Sequence, residues 1–259
     1  MKKKMSNIMY VHYIKLFFRS GLFLLATTFY IYNKIKGNDV YFWQIKGMPI
    51  FIIFVVCVFG IEMLFRFFPS NLESPGCQKQ FKRNFIPVEN TNNIKPKLTE
   101  GYRTFLMLTV WIVLSLIVGF LYYIDIIDPG FLILLSLALS VLDIICIVFF
   151  CPFQSWILKN RCCTTCRIYN WDFAMMFTPF IFIPNKYTNI LVILSFLLLI
   201  EWEVIYRLHP ERFSEDTNEA LKCKNCGEKL CHHKKQIIKI INKQVEKIKK
   251  LNKTIKEHK

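Results

Sequence analysis

Apolar residues along this chain gather into long runs, and most lysines fall between or after them. Runs at about 14–33, 48–67, 104–123, 130–150 and 188–207 match the roughly 20 residues that an α-helix needs to cross about 30 Å of hydrocarbon. A further run, 171–186, is shorter. Its apolar core extends from Phe173 to Ile183, with Pro179 inside it and Pro184 after it. A soluble fold would break such runs with regular polar positions. A membrane β-barrel would need alternating strands of about ten residues, and the sequence has no such pattern. The pattern therefore predicts an all-α polytopic membrane protein with about six transmembrane helices in three hairpins. The helical class follows because backbone groups in lipid must be satisfied within their own segment.

This reading divides the chain into four parts. Residues 1–68 form the first hairpin, and 69–102 a cytoplasmic linker rich in Pro, Asn and Lys with little regular structure expected. Residues 103–210 form a four-helix transmembrane region, interrupted by a cysteine cluster at 162–166. Residues 211–259 hold a cysteine-rich turn and a basic amphipathic helix. The start, Met1-Lys2-Lys3-Lys4 before an apolar run, has the outline of a signal peptide. We read it as an uncleaved anchor, because Phe17–Tyr32 is long, contains Arg19 and ends in bulky residues. No internal repeat is evident, so an inverted-repeat transporter gains no support.

Charge sets the expected sidedness. The chain carries 34 Lys+Arg against 18 Asp+Glu, a net +16. With the N-terminus inside and six crossings, every Lys and Arg except Lys34, Lys36, Lys46 and Lys186 falls on a cytoplasmic segment or at a cytoplasmic helix end. That is the positive-inside pattern of a cytoplasmic-membrane protein with both termini inside. If 171–186 were a re-entrant element, the Lys-rich C-terminus would be exported. A short, Pro-distorted fifth span is therefore expected.

Ten cysteines are many for such a chain, and six lie in two clusters. Cys162, Cys163 and Cys166 form CCTTC; Cys223, Cys226 and Cys231 form CKNCGEKLC, followed by His232 and His233. Both clusters fall on the predicted cytoplasmic side, where thiols stay reduced, so metal binding outranks disulfides. A C-x2-C turn lets two thiolates reach one tetrahedral ion, and Gly227 after Cys226 eases the turn. Cys163, Cys166, Cys223 and Cys226 are the expected ligands of a structural zinc at the base of the last hairpin. Cys162, Cys231, His232 and His233 are alternative ligands, and an iron–sulfur cluster is the second choice of cofactor. Cys57 and Cys146 read as small core residues, and Cys77 and Cys151 have no evident partner.

Ionisable residues inside a bilayer are costly and mark functional positions. Arg19, Glu62, Asp143, Asp172 and Glu201 are the candidates for an intramembrane polar cavity that binds a cation or relays protons. Arg66 follows Glu62 at i,i+4 spacing, which permits pairing. The plainer alternative is interface anchoring, with Trp171, Trp202 and Tyr206 as belt aromatics. No nucleophile elbow, zinc-protease or phosphate-loop motif is present.

Residues 235–255 place Ile237, Ile238, Ile241, Val245, Ile248 and Ile255 on one helix face, with lysines opposite. Such a helix suits the anionic inner leaflet, or a protein or self partner through a short heptad. Nucleic-acid binding is not expected, since topology accounts for the basic residues. These readings predict a membrane scaffold or regulatory partner. The alternatives are a small transporter or channel using the buried carboxylates, and a membrane redox or other enzyme.

Overall fold

The computed structural model describes residues 7–36, 48–68, 78–88, 95–98, 101–160, 165–183 and 185–225. Within them the chain is helical, with a single isolated β-bridge between Pro87 and Asn218. The α-helices are α1 (Asn7–Ile35), α2 (Met48–Phe67), α3 (Gly101–Tyr123), α4 (Pro129–Val148), α5 (Asp172–Phe177) and α6 (Lys186–Leu208). Four of them are long and apolar enough to cross a membrane: Met9–Ile35 within α1, then α3, α4 and α6. The 20-residue α2 is helical over the run predicted from sequence.

Much of the helix surface is apolar and uncovered. Phe17 is 82% exposed, Leu25 67%, Leu116 65% and Ile193 59%. Water would penalise such a surface, and hydrocarbon does not. Helices that are apolar on nearly every side are the expected form for a bilayer.

α1 begins earlier than predicted because its buried stripe does. Met9, Arg19, Leu22 and Ala26 are all buried and share one face. Met9 packs on Ile144, Ile147 and Val148, while Ala26 packs on Leu134 and Leu137, so α1 and α4 run antiparallel. The turn into α4 is fixed at Asp128, whose side chain accepts from the Phe131 N–H at 2.8 Å, with Pro129 at the first helical position.

The predicted fifth span is a broken element. A five-residue 3-10 helix (Arg167–Trp171) leads into the six-residue α5, which passes into a second five-residue 3-10 helix (Thr178–Phe182). Pro179 lacks an N–H and cannot continue the α-helical ladder. This element is the centre of the bundle. Phe173, Met176, Phe177, Phe180 and Ile183 join Phe59, Met63, Leu132, Leu191 and Leu198 in the main core. α3 packs closely against it. A Cβ on Gly119 would lie 2.6 Å from the Phe182 ring, so only glycine permits this approach.

Beyond α6 the chain turns back through 3-10 helices at Pro210–Arg212 and Glu219–Leu221. Asn218, fully buried, donates to the carbonyls of Lys79 and Arg212 at 3.1 and 2.9 Å. The Val88 N–H donates to Thr217 O at 3.2 Å and the Glu219 N–H to Ile86 O at 2.8 Å. The described parts of the expected linker 69–102 therefore dock on the segment after α6, with one short 3-10 turn at Lys82–Asn84.

Candidate intramembrane polar site

Arg19 is the hub of the site. It lies mid-helix on α1, only 3% exposed, at a position that helical periodicity turns towards α4. Its Nη2 donates to Glu62 Oε2 of α2 at 2.5 Å. Its Nη1 donates to Asp143 Oδ2 of α4 at 3.2 Å and to the Ser140 carbonyl at 2.9 Å. The guanidinium also stands over the Phe59 ring, 5.1 Å from its centroid. A lone buried guanidinium would be prohibitively costly, whereas one with two carboxylates and a carbonyl is offset. Lys15 reaches the other oxygen of Glu62 at 3.5 Å.

A second pair lies alongside. Arg66, near the end of α2, donates to Asp172 Oδ1 at 2.6 Å and to the Tyr169 carbonyl at 3.4 Å. Its guanidinium is 5.1 Å from the Tyr169 ring centroid and 4.7 Å from that of Phe173. Both arginines thus sit between carboxylates and aromatic faces, where a planar delocalised cation binds best. Glu62 and Arg66 each bond to a different helical element, which the i,i+4 reading did not anticipate. A third pair closes the end of the bundle: Arg167 bonds to Glu203 through Nε and Nη2, and the Trp171 Nε1–H donates to the same carboxylate at 2.8 Å.

Asp143 and Asp172 border one cavity of about 180 Å³, lined by α4, the segment after it and the broken element. Its wall is mostly apolar, through residues such as Leu139, Ile147 and Met176. Asp172 Oδ2 is buried with no hydrogen-bond partner. Glu201 takes no part in this arrangement: its Oε2 is buried without a partner elsewhere on α6. Of the five residues predicted for a polar cavity, the structure joins Arg19, Glu62 and Asp143 directly and places Asp172 with Asp143 on the lining of one cavity. Glu201 stays apart.

Of the proposed zinc ligands, Cys166 and Cys223 are described. Cys166 is buried among Met107, Leu158, Ile168 and Trp171. Cys223 is exposed at the start of the 3-10 turn Cys223–Asn225. Cys163 and Cys226, and the alternatives Cys162, Cys231, His232 and His233, lie outside the described residues, as does the helix predicted over 235–255. Among the described residues no three His, Cys, Asp or Glu side chains converge as metal ligands would. Cys146 and Cys151, read from sequence as a core residue and a residue without partner, border the cavity together with Cys166. Cys146 and Cys151 come from the end of α4 and the turn just after it, and only the fold adds Cys166 from the start of the broken element. No family model, curated protein or solved structure matches the chain, so its chemistry rests on these residues alone.

Proposed function

We propose that this chain is a multi-pass scaffold or regulatory partner in the cytoplasmic membrane, with both termini and a zinc staple on the cytoplasmic side. The observation that carries the reading is the pairing of its deep charges. Arg19, Arg66 and Lys15 face Glu62, Asp143 and Asp172, three cations against three carboxylates, drawn from α1, α2, α4 and α5. Charges matched in this way fix the relative register of helices. In a conducting path the carboxylates would be left open to water or to a passing ion.

Six crossings are part of the proposal. The broken element supplies five, six and five residues in its three pieces. With a rise of about 2.0 Å per 3-10 residue and 1.5 Å per α residue, they extend to about 29 Å if straight, close to the hydrocarbon thickness. The zinc staple would draw on Cys163, Cys166, Cys223 and Cys226. Cys166 precedes the 3-10 helix that the Arg167–Glu203 pair holds against the C-terminal part of α6, and Cys223 follows that same helix. The tail 235–255 would lie on anionic lipid or on a protein partner.

One observation favours a second reading. Asp143 and Asp172 border a common cavity, as a small cation or proton carrier would require. Flux measurements in liposomes separate the two. The scaffold reading expects proton and monovalent-cation flux at the level of protein-free liposomes. Flux above that level, abolished by Asp143→Asn, would replace it with the transporter reading.

A further inference from the structure

Trp171, Trp202 and Tyr206, the aromatics that interface anchoring would use on sequence grounds, lie inside the bundle at 5%, 2% and 8% exposure. Among the described tryptophans the exposed one is Trp156, at 71%. It stands on a five-residue π-helical turn, Phe153–Ile157, closed by the Leu158 N–H on Phe153 O at 2.9 Å. This turn has two sides. Phe153, Ile157 and Leu158 join Met107 and Trp171 in a small core cluster. Arg103, in the first turn of α3, donates to the Leu158 carbonyl at 3.4 Å. On the other side Trp156 meets Phe150, itself 42% exposed, edge to face with centroids 5.8 Å apart. The indole N–H makes no hydrogen bond to any described residue.

The place of the turn says what covers this pair. α4 ends at Val148 and α3 begins at Gly101, so the turn lies where two apolar helices of crossing length stop. An indole has an apolar body and one donor. Water penalises the body, hydrocarbon leaves the donor unpaired, and only the boundary between them suits both. We propose that Phe150 and Trp156 form an interfacial anchor. Their rings rest on the outermost acyl carbons, and Trp156 Nε1–H donates to a phospholipid ester carbonyl. Lys159, exposed just beyond the turn, extends towards the phosphate layer. Phe153 and Gln154 of the same turn line the cavity beside Asp143, so the anchor also sets the depth of that wall in the bilayer. The proposal needs a bilayer, but neither the scaffold reading nor a particular number of crossings.

The full chain, labelled with fluorotryptophan and reconstituted into phosphatidylcholine nanodiscs, reports depth by fluorine NMR. Loss of one resonance in Trp156→Phe assigns the Trp156 signal, and the exposed position makes that variant safe for folding. Three paramagnetic probes are then compared: a phosphatidylcholine spin-labelled beside the glycerol backbone, one labelled near the end of the acyl chain, and a water-soluble gadolinium chelate. The Trp156 signal should be broadened roughly threefold more by the shallow lipid label than by either of the other two. Strongest broadening by the deep label would place the indole in the hydrocarbon and overturn the proposal. Strongest broadening by the chelate would place it in water and overturn it as well. A signal that no probe broadens would mean that a second copy of the chain covers the pair, which also overturns it.

Discussion

Arg19 of α1 and Asp143 of α4 meet at 3.2 Å inside the bundle, and Glu62 of α2 closes on the same guanidinium at 2.5 Å. One side chain therefore ties three helices. Replacing Arg19 with Met would leave Asp143 without its cation and Glu62 with Lys15 alone, at a cost of about 3–5 kcal/mol. Thermal unfolding in detergent should show a large loss for Arg19→Met. Adding Glu62→Gln and Asp143→Asn should recover much of it, because neutral groups tolerate the same environment. If the triple variant is no more stable than Arg19→Met, uncompensated charge is not the cause.

Gly119 admits the Phe182 ring at a distance that leaves no room for a methyl group. Gly119→Ala should destabilise the protein by about 1–3 kcal/mol through overpacking. Gly119→Ala with Phe182→Leu should be milder. Chemical denaturation of both variants would check this.

The docked segments depend on Asn218. Its amide donates to Lys79 O and Arg212 O and accepts from the Ala220 N–H at 3.1 Å. Asn218→Ala would leave these groups buried and unpaired, costing about 1–3 kcal/mol locally. Limited proteolysis should then cut near residues 78–88 sooner than in the parent protein, while α1 to α6 stay protected.

Glu219 is held by Lys222 first and Lys224 second, at 2.6 and 2.5 Å, and its carboxyl falls from 4.5 to about 2. A lowered folded-state value means that the turn gains from the ionised form. The gain is complete above the ordinary value and is lost as the pH falls from about 4.5 to about 2. Protection factors at residues 221–225, taken against the intrinsic exchange rate at each pH, should fall across that window. Glu219→Gln should remove the dependence. Because the group is exposed, salt should weaken the effect.

For the zinc staple, elemental analysis of purified protein should return about one zinc per chain, the loading of a four-thiolate site. Cys163→Ser and Cys226→Ser should each lower it. Unchanged metal content in both variants would remove the proposed site.

Much of the fold was legible from hydrophobic runs, since each helix needs only local sequence to declare itself. The boundaries of α2, α3, α4 and α6 lie close to those predicted. The segment 171–186 was recognised as unusual from Pro179 and Pro184, but not as the centre of the core. Phe173, Phe177 and Phe180 look the same in sequence whether they face lipid or other helices. Likewise the role of Arg66 was missed, because Glu62 offered a nearer partner in the chain than Asp172.

The sequence alone determined that long apolar helices exist and that a few charges must lie among them, because burial of the backbone in lipid depends on segment length and composition. Which charges meet was decided only by tertiary structure. Arg19 lies 43 positions from Glu62 and 124 from Asp143, and Arg66 lies 106 from Asp172. Electrostatic pairing acts over a few ångströms of space, and no local pattern encodes which distant helix will supply the partner.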